Sequence, residues 1–336
     1  MRLRPWLDFL LGSGRRLPRR RPTRRFQAGS AVRVVEPLED RTLLSVTTLL
    51  INNGLSVVSD ADDDLGVSVD VFGNVVVDVN GQPQTMSPPV AAATVESITV
   101  VGGDLSNTID LSGVNAAGFS FQDIDGNPVT IHADGRNGDD TLIGSFDLAA
   151  TILGGDGNDT LSLLGSTAAH LVDGGNGDDV INGGDGAETL AGGDGHDTLA
   201  GGLGDDLITG DDGTDVVTGG DGQDTINGGD GPDLLDGGDG DDDINGESGQ
   251  DTIIGGDGND TLRGGGSNDE LYGDTTDPLV ISTGNDLVQG QGDDDTIIGG
   301  GGADVLQGGP GADLVRSTAS DVQPPPPPQP PQPPQP

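Results

Sequence analysis

Aspartate recurs every nine residues through the second half of the chain, always at the sixth position of a glycine-rich unit. GGDGNDTLR at 255–263 is one such unit, and GGDGNDTLS at 154–162 repeats it almost letter for letter. Carboxylates are hard oxygen ligands, and equivalent carboxylates at a fixed spacing suit repeated cation sites better than one asymmetric acid–base pair. The spacing therefore predicts a row of cation sites rather than a single catalytic centre.

The nine-residue unit occurs 17 times. Eleven units follow one another without insertion from Gly174 to Tyr272, and outlying units begin at Gly135, Gly154, Ile281, Gly290, Gly299 and Gly308. Position 4 is Gly in 15 units, position 6 is Asp in 16, and position 8 is Leu, Ile or Val in all 17. The composition alone favours a disordered acidic chain, but such a chain would not keep an aliphatic residue in one column throughout.

Each column has a physical reason. Glycine at positions 1, 2 and 4 allows a tight turn over GGxGx, and the last three residues then form a short strand. Side chains alternate along a strand, so position 8 points inward while positions 7 and 9 point outward. Two units make one 18-residue coil, and stacked coils give two parallel sheets that face each other over a thin aliphatic seam. The expected fold is all-β: a parallel β-roll, or β-solenoid, of 18-residue coils, preceded by a β-rich segment and flanked by disordered termini.

Stacking places the position-6 carboxylates of units n and n+2 roughly 5 Å from each other. At that distance two like charges repel by about 3 kcal/mol at an effective dielectric near 20. A cation with about six to eight oxygen ligands relieves this repulsion, and Ca²⁺ fits better than Mg²⁺, which is smaller and gives up water reluctantly. The candidate calcium ligands are the position-6 side chains Asp140, Asp159, Asp179, Glu188, Asp197, Asp206, Asp215, Asp224, Asp233, Asp242, Asp251, Asp260, Asp269, Asp286, Asp295, Asp304 and Asp313.

In tandem, these units resemble the GGxGxDxUx repeats of RTX, or haemolysin-type, calcium-binding proteins. The resemblance covers about half of the chain. It implies a Ca²⁺-filled parallel β-roll in an exported bacterial protein that folds on meeting calcium outside the cell. It also implies that position-6 aspartates and backbone carbonyls of positions 1–4 hold the ion. Weaker sites are expected where the units depart from the pattern, at Glu188, Asp211, Glu247 and Ser267. The eight residues 273–280 are expected to shift the register by one.

Charge divides the chain unevenly. All 14 basic residues are Arg and 11 of them lie in residues 1–41, whereas the remainder carries 53 acidic residues against three arginines. A body this acidic repels nucleic acid and anionic lipid and attracts cations. No apolar stretch approaches the length of a membrane span. The expected partners are several Ca²⁺ ions and a cell-envelope polysaccharide or protein, with no nucleic acid and no membrane span.

The flanking sequences differ from the repeats. VEPLEDRTLLS at 35–45 resembles the LEPR-XLL type of amino-terminal segment found in exported bacterial proteins. The alternation in 65–81 predicts a hairpin or the edge of a solenoid, and GGDLSNTID at 102–110 is a degenerate unit. The predicted segments are a basic disordered export or targeting segment at 1–45, a β-rich segment at 46–134, the repeat roll at 135–316, and a proline-rich disordered tail at 317–336. The tail is expected to be a stiff spacer, with a ligand for a proline-binding module as the alternative.

No catalytic constellation is evident in the sequence. His132, His170 and His196 are isolated, cysteine is absent, and no histidine pair has zinc-ligand spacing. We expect a non-enzymatic, calcium-binding protein that is secreted or on a bacterial cell surface, has a structural or adhesive role, and folds on binding Ca²⁺. The alternative is an accessory or secretion module of a larger exported hydrolase or toxin. Adhesion to ice through a threonine ladder is disfavoured, because Thr fills position 7 in only eight of the 17 units.

Overall fold

The computed structural model describes residues 33–34, 46–51, 53–59, 63–70, 74–85, 89–115, 130–145, 147–163, 165–274 and 284–317. These ranges contain 28 strands and one 3₁₀ turn at Ala92–Thr94. In chain order the strands are β1 Arg33–Val34, β2 Thr47–Ile51, β3 Gly54–Val58, β4 Asp64–Val69, β5 Val75–Val79, β6 Gln82–Thr85, β7 Ser97–Val101, β8 Thr108–Asp110, β9 Thr130–Asn137, β10 Thr141–Ile143, β11 Ala150–Asp156, β12 Thr160–Ser162, β13 Leu171–Asn176, β14 Val180–Asn182, β15 Thr189–Gly195, β16 Thr198–Leu203, β17 Leu207–Gly213, β18 Val216–Asp221, β19 Thr225–Asp230, β20 Leu234–Asp239, β21 Asp243–Ser248, β22 Thr252–Asp257, β23 Thr261–Gly266, β24 Glu270–Tyr272, β25 Leu287–Gln291, β26 Thr296–Ile298, β27 Val305–Gln307 and β28 Leu314–Arg316.

Within the described residues the strands form two sheets of 14 strands each. From β9 onward the odd-numbered strands follow one another in the first sheet and the even-numbered strands in the second. Each strand pairs in parallel with the strand two places later, and Thr198 of β16 lies opposite Val216 of β18, a separation of 18 residues. The predicted β-solenoid of 18-residue coils is therefore confirmed.

The β-rich segment forms the first coils of the same solenoid. Strand β3 pairs in parallel with β7, and β4 with β8, so both sheets begin before the first full repeat. The outer edge of each sheet is completed by antiparallel strands, β2 and β1 on the first sheet and β5 and β6 on the second. The pairing of β4 with β5 confirms the hairpin predicted in 65–81. The degenerate unit at 102–110 also lies in the stack, with Ile109 fully buried.

The core is the aliphatic seam predicted from position 8. In the eleven contiguous units the position-8 side chains are all at most 1% exposed, from Ile181 to Leu271. Burial of one such side chain contributes about 1.5–3 kcal/mol. With few aromatic residues available, many small equal contributions replace one large core.

The strands are longer than three residues. In the contiguous repeats most strands span six residues, positions 7–9 of one unit and 1–3 of the next, as in β16 and β18. The prediction of a GGxGx turn with a three-residue strand is thus wrong, because the first two glycines lie within the ladder. Most position-2 and position-4 glycines have positive φ, for example 118° at Gly220 and 157° at Gly222. Asp211 and Glu247 occupy position 2 with φ of 73° and 71°, so these departures from glycine keep the left-handed backbone.

The predicted one-residue register shift near 273–280 is wrong. Thr261 of β23 pairs with Leu287 of β25, and Glu270 of β24 with Thr296 of β26, both 26 residues apart instead of 18. Within the described residues β23 is thus hydrogen-bonded directly to β25, and β24 to β26. Gly273 continues the backbone hydrogen bonding between coils as position 1 of a unit, Asp274 follows at position 2, and Gly284 resumes that unit at position 4. The columns on both sides of the insertion therefore remain aligned.

The expected disordered termini lie almost entirely outside the described residues. Of the basic segment 1–45, only Arg33 and Val34 are described, and they pair antiparallel with β2. The proline-rich tail beyond residue 317 is likewise outside the described ranges. The four proposed segment boundaries remain predictions.

Candidate metal centre

The position-6 side chains lie at the two edges of the roll, where the chain turns from one sheet to the other. All 17 predicted ligands stack in two columns. The long ladder consists of Asp140, Asp159, Asp179, Asp197, Asp215, Asp233, Asp251, Asp269, Asp295 and Asp313, and the short ladder of Glu188, Asp206, Asp224, Asp242, Asp260, Asp286 and Asp304. Except for Asp313, each is at most 4% exposed. The structure brings the predicted residues together, while their role as ligands remains a prediction.

One oxygen of each carboxylate is held by the backbone. The backbone N–H of each position-6 residue donates to Oδ1 of the position-6 aspartate one coil later, at 2.7–3.2 Å along both ladders. The bond from Asp197 to Asp215, for example, measures 2.8 Å. These bonds fix the orientation of each side chain in the folded chain.

The other oxygen is buried and has no hydrogen-bond partner. This holds for Oε1 of Glu188 and for Oδ2 of Asp140, Asp159, Asp179, Asp197, Asp206, Asp215, Asp224, Asp233, Asp242, Asp251, Asp260, Asp269 and Asp295. Leaving a buried acceptor unsatisfied costs about 1–3 kcal/mol, and more when the group is charged. Such a row of charged oxygens is unfavourable in the folded chain unless each carboxylate takes up a proton or lies beside a cation.

Backbone carbonyls converge on the same places. A methyl group added at Gly219, a position-1 glycine, would overlap both Oδ2 of Asp224 and the carbonyl oxygen of Gly237 one coil later. The same overlap with a carboxylate and a later carbonyl occurs at Gly174, Gly192 and most other position-1 glycines. The absent side chain at position 1 thus leaves room beside a carboxylate and a carbonyl oxygen.

The pKa values of the ladder carboxylates reflect this crowding. Burial, followed by repulsion from neighbouring carboxylates, raises the pKa of Asp179, Asp206, Asp233, Asp260 and Asp269 to about 7. The pKa values of Asp159, Asp197, Asp242, Asp251 and Asp295 rise to about 6 with burial as the largest cause. Without a cation, the edges of the roll therefore hold protons far more tightly than ordinary aspartates do.

A second set of hydrogen bonds runs along the exposed turns and was not predicted. Here the position-5 side chain accepts a backbone N–H from the position-5 residue one coil later. The backbone N–H of His196 donates to Oδ1 of Asp178 at 3.0 Å. The imidazole Nδ1 of His196 in turn accepts the backbone N–H of Thr214 at 3.0 Å. At position 6 the backbone N–H of the earlier coil donates to the later coil, whereas at position 5 the backbone N–H of the later coil donates to the earlier one. Neighbouring turns are therefore joined by hydrogen bonds in both directions. The sequence gives no sign of this role for position 5, because donor and acceptor lie one coil apart.

Each ladder also extends or ends at residues outside the predicted set. The long ladder begins earlier, because Asn107 donates its N–H to Oδ1 of Asp140, and Asp63 donates to Asn107 at 3.4 Å. On the other edge His170 takes position 6 in front of Glu188. It is buried, accepts the Ala150 N–H through Nδ1 at 3.2 Å, and lies 2.7 Å from Ser166 Oγ through Nε2. Burial lowers the pKa of His170 to about 4, so a neutral imidazole stands where other rungs carry a carboxylate.

The donor set suits calcium. Within the described residues no group of three or more His, Cys, Asp or Glu side chains converges on one point, so a bound ion would need backbone carbonyl oxygens as well as carboxylates. Ca²⁺ accepts such mixed carboxylate and carbonyl shells of oxygen, whereas Zn²⁺ prefers nitrogen and sulfur. None of the helical segments in the described part of the chain is long and apolar enough to cross a membrane.

A model of the RTX calcium-binding nonapeptide repeat matches residues 150–165, 171–199, 191–226, 218–253, 246–277 and 281–315. Comparison with curated proteins gave no significant match. The fold and the two ladders thus define a calcium-binding β-roll. The chain carries RTX repeats, which bind Ca²⁺ as a structural ion.

Proposed function

We propose that this protein is a secreted or cell-surface calcium-binding repeat protein of a bacterium, with a structural or adhesive role, and that it folds when Ca²⁺ binds. The observation that carries the proposal is the row of buried, unpartnered carboxylate oxygens on both edges of the roll. Such a row destabilises the calcium-free fold and becomes favourable once each oxygen has a cation beside it.

In this proposal the chain's own residues orient the oxygens of each site. The position-6 backbone N–H orients the carboxylate of the next coil through Oδ1, and Oδ2 then faces a carbonyl oxygen of the following coil. Bound Ca²⁺ supplies the positive charge that offsets repulsion between rungs. Folding and binding are then one process, because stacking of coils creates the sites.

Three observations support an extracellular location. The repeats are of a calcium-binding family, and calcium is plentiful outside cells. Basic residues are concentrated in residues 1–41, ahead of an acidic body. The segment 35–45, which lies outside the described residues, resembles the LEPR-XLL type found in exported proteins.

The outer faces of the sheets support a binding role without catalysis. Side chains at position 7 stand outward in straight columns, with Val180, Val216 and Leu234 each at least 40% exposed on the second sheet. A regular, rigid face of this kind suits a repetitive partner such as an envelope polysaccharide or protein. Of the three histidines, His170 is held by Ala150 and Ser166 and His196 by the turn ladder, which favours structural roles.

The test is a calcium titration of the purified chain followed by circular dichroism. We expect a change from coil to β structure on adding Ca²⁺, reversal by a chelator, and a much weaker response to Mg²⁺. A spectrum that is equally β-rich in metal-free buffer near neutral pH, with no metal detected by mass spectrometry, would refute the proposal. A pull-down from cell-envelope extracts, with the chelated protein as control, then tests adhesion separately.

A further inference from the structure

Asp274 is a buried acid outside the repeat pattern. It occupies position 2 of the unit that the insertion interrupts, directly after Gly273 and immediately before the undescribed residues 275–283. The consensus has glycine at this position, and the 17 position-6 ligands predicted from the sequence do not include it. Nothing in the repeat pattern accounts for a carboxylate here.

Asp274 differs from every other acid at position 2. Asp211 and Glu247 adopt positive φ and expose their side chains. Asp274 does not adopt the left-handed conformation, and only 6% of its surface is exposed. Its side chain is therefore turned into the edge of the roll instead of toward solvent.

One oxygen of Asp274 is satisfied and the other is not. The backbone N–H of Gly301 donates to Oδ2, and the carboxylate lies against Gly300, where an added methyl group would overlap it. Oδ1 is buried and has no hydrogen-bond partner among the described residues. Most of the ladder carboxylates show the same arrangement, in which one oxygen accepts a backbone N–H and the other has no hydrogen-bond partner.

Other hard oxygens lie beside the preceding residue. A methyl group added at Gly273 would overlap both the carbonyl oxygen of Gly299 and the carboxylate of Asp286. Carboxylate and carbonyl oxygens in one crowded, buried place form the donor set that Ca²⁺ prefers. A carboxylate and a carbonyl oxygen of this kind thus lie beside Gly273, the residue next to Asp274 in the chain.

We propose that Asp274 is a cation ligand and that it holds a Ca²⁺ ion at the base of the insertion. The inference rests on the proposed function, since it assumes that the roll binds calcium. This ion bridges the point where the insertion interrupts the strand ladder, and it fastens the coils after Gly284 to those before Gly273. The strand register is then kept across the insertion.

The test compares the full chain with Asp274→Asn and with the matched control Asp257→Asn. Asp257 is an exposed aspartate at position 3 of the preceding rung on the same sheet, so both variants lose one charge. Asparagine retains an acceptor for Gly301, which keeps the hydrogen bond while removing the charged ligand. Native mass spectrometry and calorimetry with CaCl₂ give the number of ions and their affinities.

We expect Asp274→Asn to bind one Ca²⁺ fewer than the wild-type chain, or to bind its most affected ion roughly tenfold or more less tightly. Asp257→Asn should match the wild type, and Asp274→Glu should restore the ion because it keeps the carboxylate. Equal ion number and affinity in wild type and Asp274→Asn would overturn the inference, as would equal loss in the Asn and Glu variants. If the wild-type chain itself binds no calcium, the proposed function fails instead.

Discussion

Replacing one ladder carboxylate with its neutral isostere should change stability in opposite directions with and without calcium. Asp233 is the best position, because it lies in the middle of the long ladder and its Oδ1 accepts the Asp215 N–H at 2.8 Å. Asparagine can keep that bond. Asp233→Asn therefore removes the charge and one candidate ligand oxygen with little change of shape.

The magnitude for the calcium-free fold follows from the pKa. Burial, with repulsion from Asp215 and Asp251, raises the pKa of Asp233 from 3.8 to about 7. The folded state then binds the proton more tightly than the unfolded chain, so the charged form destabilises the fold above about pH 7. The shift corresponds to about 4 kcal/mol, and solvent screening at the edge of the roll reduces this to roughly 1–2 kcal/mol. At about pH 8 in chelator, the variant should be more stable than wild type by that amount.

With calcium the sign should reverse. Asp233 faces the coils of both Asp215 and Asp251, so its loss weakens the sites on both sides. A tenfold to hundredfold loss of affinity, typical for a perturbed metal site, corresponds to about 1.4–2.7 kcal/mol. The assay is urea unfolding followed by circular dichroism, in chelator and in excess CaCl₂. Asp230→Asn is the control, because Asp230 is exposed at position 3 nearby. If Asp233→Asn shifts the midpoint in the same direction under both conditions, the ladder carboxylates do not act as calcium ligands.

Three further predictions concern acidity, the seam and the end of the short ladder. The calcium-free fold should gain stability as pH falls from about 7 to about 4, because the raised ladder pKa values favour protonated folded chains; loss of β signal on acidification in chelator would contradict this. Leu235→Ala should cost about 2–5 kcal/mol in urea unfolding and Leu234→Ala well under 1 kcal/mol, since Leu235 is 0% and Leu234 42% exposed; similar losses would argue against the seam. His170→Asp should add one carboxylate next to Glu188 and raise the calcium count by one in native mass spectrometry, whereas an unchanged count would mean that His170 does not end the ladder.

The strand boundaries show the limit of reading a repeat from its letters. Glycine is a poor strand former, so GGxG reads as a turn by propensity. In the structure the first two glycines of most units continue the strand, since neighbouring coils approach too closely there for a side chain. Tertiary contact therefore overrides the local preference.

The sequence by itself determined the solenoid, its 18-residue coil, the inward aliphatic column and the alignment of the position-6 acids. These follow from period, because a nine-residue repeat with one aliphatic per unit can bury that residue only by stacking. The sequence also predicts the chemistry of the sites, since carboxylates aligned at the spacing of parallel strands attract cations, and the role of these residues as ligands stays a prediction.

Only the tertiary structure decided which atoms meet across rungs. The opposed hydrogen-bond ladders at positions 5 and 6, the early rungs at Asp63 and Asn107, and the neutral rung at His170 all depend on residues about 18 or more positions apart. The insertion after Asp274 likewise breaks the period in sequence but not in space, because strand pairing restores the columns across it. The period of the sequence predicts that equivalent positions of successive coils lie side by side. Only the stacked backbone shows which hydrogen-bond donor faces which acceptor.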